Sequence, residues 1–173
     1  MFQLNRSVRT LVFCVAVSAA VLSSAAARAA DSAPAPAAAA PTDTAMTPAQ
    51  RVQSAPRGSL KNPYHPSQAD IVDQGKELFQ SYSCSGCHGG TGGGGMCPPV
   101  NGEVWFYGLE DDTLFRLITL GSVEMTKQGF DRLGGPGLQM PPFGELIKSD
   151  DDVWKILTWI RSVYKGDPKK IFW

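Results

Sequence analysis

The sequence has little of what nucleic-acid binding, membrane spanning or a β-sheet requires. It has 16 basic and 16 acidic residues, and the basic ones are scattered along the chain. This pattern excludes a basic surface for nucleic acid or anionic lipid. No stretch shows the strict apolar and polar alternation of strands, and no apolar run reaches the ~20 residues that cross a bilayer. What remains is a helical chain rich in glycine and proline, with 18 and 13 residues respectively.

Residues 1–29 have the features of an export signal. Arg6 and Arg9 precede the apolar run from Leu11 to Leu22, and Ala27-Arg28-Ala29 matches the small-residue pattern at which leaders are cleaved. We therefore predict a signal peptide and a periplasmic mature protein. Phe13 before Cys14 does not fit a lipoprotein cleavage site.

The mature chain is predicted to contain a flexible segment followed by one folded domain. Residues 30–56 consist mostly of Ala, Pro, Ser and Thr, so they bury too little apolar surface to offset the entropy of ordering. We interpret them as a tether. Residues 57–173 have the size of a single small domain.

The apolar periodicity of this domain predicts an all-α fold with three main helices and long Gly/Pro-rich loops. The helices are expected at about Ser67 to Tyr82, Asp111 to Leu120 and Asp150 to Tyr164. Ser67 is the predicted cap of the first helix, Gly121 the stop of the second, and Ser149 or Asp150 the cap of the third. Gly75 weakens the first helix, so we expect another helix to approach it closely. The long loops suggest that the domain needs something besides its own side chains at its centre.

Cys84-Ser85-Gly86-Cys87-His88 is the motif that carries chemistry. A disulfide and a thiol exchange site are the alternative interpretations of its two cysteines. A zinc site would need more ligands, and Cys97 and His65 are poorly spaced for it. His88 favours haem c, because C-x-x-C-H is the pattern in which two thiols bind haem covalently and the following histidine ligates iron.

The chain from Ser67 to Tyr164 resembles class I c-type cytochromes. The resemblance lies in a helix that ends before C-x-x-C-H, a proline loop after it, a methionine loop and an aromatic final helix. It implies the class I cytochrome c fold around one covalently bound haem. It also implies that Gly75 and Phe79 of the first helix pack against Ile156 and Trp159 of the last.

Iron would be bound by His88 and by a methionine, for which Met96, Met125 and Met140 are available. We favour Met140, because the prolines after it would hold its loop rigid and because it precedes the last helix, as the axial methionine does in this family. Core packing or exposure is the alternative for each of the three. Met96 lies close in sequence to the attachment motif.

The segment Cys97-Pro98-Pro99-Val100 aligns with the family's Gly-Pro-x-Leu, in which the proline carbonyl accepts a hydrogen bond from the ligating histidine. Pro98 is thus the expected partner of His88. Cys97 replaces the usual glycine. We interpret it as a small buried residue, with a reactive or dimer-forming thiol as the alternative.

Histidine and methionine ligation leaves no open position on iron, which suits electron transfer rather than an enzyme. We expect packing around the haem from Trp105, Phe106, Tyr107 and Phe143. For Trp105 alone, a place in the protein core is the favoured interpretation. A haem-bearing subunit of a larger oxidoreductase and a ligand-binding sensor or haem enzyme are the alternatives.

Two segments, 92–122 and 140–164, are similar to periplasmic monohaem cytochromes that accept electrons from quinoprotein methanol or alcohol dehydrogenases. This similarity implies such a dehydrogenase as donor and a cytochrome or terminal oxidase as acceptor. Glu110, Asp111 and Asp112 are candidates for steering a basic partner surface. Stabilisation of a helix N-terminus is the alternative role for the same three acids.

Overall fold

The computed structural model describes residues 46–134, 137–167 and 169, all within one compact unit. The predicted signal peptide and the tether up to residue 45 lie outside the described residues. The described chain contains no strand, and its helices are α1 Pro48–Ser54, α2 Ala69–Ser81, α3 Cys84–His88, α4 Asp111–Lys127 and α5 Asp150–Ser162. The prediction of an all-α chain is confirmed for these residues. None of their helices has the length and apolarity that crossing a membrane requires.

Helix α1 lies inside the segment that the sequence predicted to be a tether, so the structure differs from that expectation at residues 46–56. Thr47 and Gln50 cap the helix reciprocally, and Pro48 occupies its first turn. Val52 is 8% exposed, and Arg51 Nε lies 2.6 Å from Asp150 Oδ2 at the start of α5. Two buried residues, Pro48 and Val52, and this ion pair therefore dock a segment whose composition alone indicated disorder.

Helices α2 and α5 cross at Gly75, as the sequence predicted. A Cβ atom on Gly75 would lie 2.0 Å from the Lys155 carbonyl oxygen and 2.9 Å from Trp159 Cβ, so no other residue allows this approach. The rings of Phe79 and Trp159 are in contact, with their centroids 4.5 Å apart. Ile156 is 1% exposed in the same core. The attachment motif follows α2 directly, so the packing of α2 against α5 positions it.

The predicted helix ends agree with the structure in part. Ser149 caps α5, since its side chain accepts from the Asp152 amide. Ser67 does not cap α2: the helix begins at Ala69, and the Ser67 amide donates to the Nδ1 atom of the exposed His65.

Helix α4 does not stop at Gly121. Its backbone leaves helical geometry at this residue (φ 73°, ψ 165°), and the helix then resumes as far as Lys127. Helix α5 ends at Ser162, two residues earlier than predicted.

Candidate haem site

The attachment motif forms a short helix of its own, which a turn separates from α2. After α2 ends, Ser83 adopts the left-handed conformation (φ 62°) and turns the chain, and α3 begins at Cys84. Side chains four residues apart in a helix share a face, so Cys84 and His88 are directed to the same side. Both line a cavity, whereas Cys87 is half-buried and is not among the residues that line it.

This cavity is a cleft with a volume of about 140 Å³, part of which is open to solvent. Its walls are mostly apolar and come from α2, α4, α5 and the loops between them. Besides Cys84 and His88, the lining includes Phe79, Val100, Trp105, Phe106, Tyr107, Leu114, Leu117, Ile118, Ile156, Leu157 and Ile160.

The His88 ring is oriented by a backbone carbonyl, as predicted. Its Nδ1 atom lies 2.8 Å from the Pro98 carbonyl oxygen. A bond of this kind fixes the ring and leaves the other nitrogen, Nε2, as the ligand atom. Pro98 itself lines the cavity.

The glycine-rich loop 89–102 holds this carbonyl in place by folding back over α3. The Gly94 amide donates to the His88 carbonyl (2.9 Å), and the Cys97 amide donates to the Cys87 carbonyl (3.1 Å). Gly89 has φ 77°, and a Cβ there would lie 2.5 Å from the Gly94 carbonyl oxygen. Glycine is therefore required for the close return of the loop.

The three candidate methionines occupy different environments. Met140 is half-buried and lines the same cavity as His88. Met125 is fully buried and does not line the cavity, and Met96 is 69% exposed. Of the three, only Met140 has its side chain at the cavity with the histidine.

The polar groups at the cavity also fit haem, which carries two carboxylates on one edge. Trp105 is 9% exposed and lines the cavity, and its Nε1–H has no hydrogen-bond partner among the described residues. A buried indole N–H without a partner is costly, so an acceptor is expected in the cavity. Arg132 supplies a cation to the same lining, and its guanidinium lies over the Phe106 ring. The residues present therefore fit the cofactor.

The alternative interpretations of the motif fit less well. Cys84, Cys87 and Cys97 form no disulfide with one another. Burial raises the pKa of the Cys84 thiol to about 11, whereas exchange sites need a readily formed thiolate. Within residues 46–134, 137–167 and 169, no three His, Cys, Asp or Glu side chains converge as a zinc site requires. Cys97 is half-buried, and its role stays a prediction.

Two of the acids proposed to steer a partner are buried, which corrects that interpretation. Asp111 and Asp112 are 2% and 4% exposed. Asp111 forms an ion pair with Arg161 of α5, and Asp112 Oδ2 lies 2.8 Å from Arg116 Nε. They fix the start of α4 and cannot form a docking surface. Only Glu110 of the three is exposed.

Several cavity residues escaped the sequence analysis. Trp105, Phe106 and Tyr107 line the cavity as expected, but Phe143 packs against the core instead. Ser122 and Leu138 were not identified. Ser122 follows Gly121, which the sequence marked only as a helix stop, so the local pattern carried no sign of its contact with a loop 18 residues away.

Comparisons with known proteins identify the family of this chain. Residues 70–160 match the family described as "Cytochrome C oxidase, cbb3-type, subunit III". Cytochrome c-L of Methylorubrum extorquens is 31% identical over 101 residues, which are 57% of this chain and 43% of that protein. The chain thus spans less than half of the length of this curated relative.

Two solved structures are also similar. The cytochrome CL of the marine methylotrophic bacterium Methylophaga aminisulfidivorans has 27% identity and a TM-score of 0.47, over 61% of each chain. The cytochrome cL of Hyphomicrobium denitrificans has 31% identity and a TM-score of 0.44, over 58% of this chain and 52% of that one.

Proposed function

We propose that this chain, which belongs to the cytochrome c family described as "Cytochrome C oxidase, cbb3-type, subunit III", is a periplasmic one-electron carrier. Its cofactor is a covalently bound c-type haem, which takes up and releases one electron when bound. In the proposal Cys84 and Cys87 form the thioether bonds, and His88 and Met140 are the axial ligands. The observation that carries it is the C-x-x-C-H helix, whose histidine shares an apolar cavity with Met140.

The chain's own residues support transfer of electrons rather than catalysis on a substrate. Apart from His88, the ionisable side chains that line the cavity within the described residues are Cys84, Tyr107 and Arg132. No carboxylate is present there to move protons, which haem enzymes and general acid–base sites use. The walls of the cavity are mostly apolar, and apolar surroundings lower the reorganisation that accompanies a change of charge.

The proposed electron donor is a quinoprotein methanol or alcohol dehydrogenase, and the acceptor is another cytochrome or a terminal oxidase. Support comes from the 31% identity to a cytochrome c-L. It also comes from the segments 92–122 and 140–164, which resemble cytochromes that accept electrons from such enzymes.

The test is stopped-flow mixing of the oxidised mature protein with a quinoprotein methanol dehydrogenase and methanol. We expect fast, saturable reduction of the haem, measured by absorbance at several salt concentrations. The same mixture without methanol is the control. If reduction is slow although the haem spectrum shows both axial ligands, the dehydrogenase is not the donor.

A second candidate function, a haem-bearing subunit fixed in a larger oxidoreductase, is favoured by the description of the matching family as an oxidase subunit. Affinity purification of the tagged protein from membranes and from the periplasmic fraction distinguishes the two. A stoichiometric complex would favour the subunit, and a haem protein recovered alone would favour the carrier.

A further inference from the structure

The break in α4 at Gly121 places the helix against the methionine loop. In an unbroken helix the Ser122 amide would donate to the Ile118 carbonyl, and the Val123 amide to the Thr119 carbonyl. Here the Ser122 amide donates to the Met140 carbonyl instead (2.9 Å). The helix has therefore turned a backbone donor outward, toward the loop.

The carbonyls on the other side of the break accept hydrogen bonds from the same loop. The Phe143 amide donates to the Ile118 carbonyl, and the Gly144 amide donates to the Thr119 carbonyl, both at 3.0 Å. The loop thus uses acceptors that the break makes available. Backbone hydrogen bonds therefore join both ends of residues 140–144 to α4.

Met140 is held through both polar groups of its own backbone. Its amide donates to Ser122 Oγ at 2.9 Å, and its carbonyl accepts from the Ser122 amide at 2.9 Å. Ser122 is 9% exposed and lines the cavity beside Met140. One serine therefore fixes the peptide groups on either side of the methionine Cα.

Glycine is required at the break for two reasons. Gly121 has φ 73°, a conformation that L side chains rarely adopt. A Cβ there would also lie 2.6 Å from the Met140 carbonyl oxygen and 2.8 Å from Pro142 N. These are backbone atoms of a loop stiffened by two prolines, so they cannot move aside as the end of a side chain would.

We propose that Gly121 and Ser122 form a latch that positions Met140 as the axial ligand, with Ser122 acting through the Met140 backbone. This inference rests on the proposed function, in which Met140 binds iron. Methionine sulfur is a neutral, weak ligand, so the share of time it spends on iron depends on how firmly its loop is held. Ser122 is accordingly a positioning residue and not a ligand.

The test is Ser122→Ala in the haem-loaded full chain. The substitution leaves the Met140 amide without its acceptor but keeps the bond from the Ser122 amide. We expect the rate of carbon monoxide binding to the ferrous protein, which requires methionine dissociation, to rise about five- to tenfold, the usual effect of losing one hydrogen bond. The reduction potential should fall, and the absorption band of ferric methionine ligation should weaken.

Thr126→Ala is the matched control. Thr126 Oγ1 also forms a hydrogen bond in the second half of α4, to the Ser122 carbonyl at 3.1 Å, but it does not line the haem cavity. We expect wild-type carbon monoxide binding for this variant. An equal rise in both variants would overturn the latch, because it would show a general loosening of the helix.

Other outcomes separate the latch from the proposed function. Wild-type behaviour of Ser122→Ala, together with fast carbon monoxide binding by Met140→Ala, would overturn the latch alone. Equal binding by wild type and Met140→Ala would overturn the ligand assignment and the latch with it. If Ser122→Ala yields no haem protein, Ser122→Cys, a weaker acceptor, should shift binding in the same direction, and an unchanged rate would overturn the proposal.

Discussion

At the scale of single residues, the site depends on which side chains reach one cavity. His88 is oriented by the Pro98 carbonyl, and Met140 lies at the same cavity while Met125 is buried elsewhere. The choice between the two methionines is thus a matter of position, since their side chains are chemically identical.

We predict that Met140→Ala opens the iron whereas Met125→Ala does not. Without the sulfur ligand, ferrous protein should bind carbon monoxide completely on mixing, and the reduction potential should fall. Met125→Ala should instead lower the free energy of unfolding by about 2–5 kcal/mol, because it leaves a cavity in the core, with the iron still closed. Spectral titration and urea unfolding check both variants. The opposite pattern would assign the ligand to Met125.

Asp112 links stability to pH. Burial by itself would raise the pKa of Asp112, but hydrogen bonds from Arg116 and from the Gly58 and Leu60 amides outweigh it and hold the pKa below its usual value. A carboxylate with a depressed pKa stabilises the fold above its unfolded pKa of about 3.9, and this contribution is lost as pH falls through the folded value.

We therefore expect Asp112→Asn to lower the free energy of unfolding by about 3 kcal/mol at neutral pH, because it leaves Arg116 buried without its partner. Urea titrations from pH 7 downward should show the difference from wild type shrinking below about pH 4. Asp73→Asn, on the exposed side of α2, is the control and should leave stability unchanged at neutral pH. A difference that persists at the lowest pH would contradict the role of the charge.

At the scale of elements, helix packing determines where the site lies. The crossing of α2 and α5 at Gly75 sets the direction from which the chain reaches α3, and the break in α4 sets the position of the methionine loop. Both depend on a glycine that lets two backbones approach each other. Gly75 does so because it lacks a Cβ, and Gly121 does so because it lacks a Cβ and also adopts a positive φ.

Gly75→Ala should destabilise the protein by about 1–3 kcal/mol through overpacking, although alanine favours a helix by about 1 kcal/mol. Gly86→Ala is the matched control, because a Cβ at Gly86 would meet no atom within 4 Å. Unfolding by urea, followed by circular dichroism on the haem-loaded proteins, measures both. Equal stability of the Gly75 variant and wild type would mean that the helices can separate at little cost.

At the scale of the whole molecule, the described core is arranged around a space that its side chains do not fill. Aromatic and aliphatic side chains from α2, α4 and α5 pack together on one side and line the apolar cleft on the other. Packed interiors have few voids larger than a water molecule, so an apolar cleft beside the core indicates that the cofactor completes the core.

The variant with both Cys84→Ser and Cys87→Ser should lack haem and with it fixed tertiary packing. We expect much of the helical signal in far-ultraviolet circular dichroism to remain, the near-ultraviolet signal to disappear and a hydrophobic dye to bind. Cys97→Ser is the control and should retain haem and native spectra. Cooperative, native-like unfolding of the haem-free variant would show that the core is complete without the cofactor.

The sequence predicted the helical class, the three main helices and the close approach at Gly75, because apolar periodicity and an isolated glycine are local signals. The comparisons confirm the cytochrome c family and the haem that the five residues of the attachment motif indicated. The sequence did not reveal that residues before 57 pack against the domain. The docking of α1 depends on Asp150, which lies 99 positions after Arg51, and composition carries no sign of such a contact.

What the sequence by itself indicated is the chemistry, because two thiols and a histidine at fixed spacing predict haem attachment without any tertiary contact. The tertiary structure decided which distant residues share the cavity and which acids are exposed. Asp111 and Asp112 were expected at the start of α4 and are found there, yet their burial arises from Arg161 and Arg116 closing over them. Likewise, the helical pattern marked Gly121 only as a helix stop and gave Ser122 no role. Their contact with Met140 exists only because the folded chain returns against the break in α4.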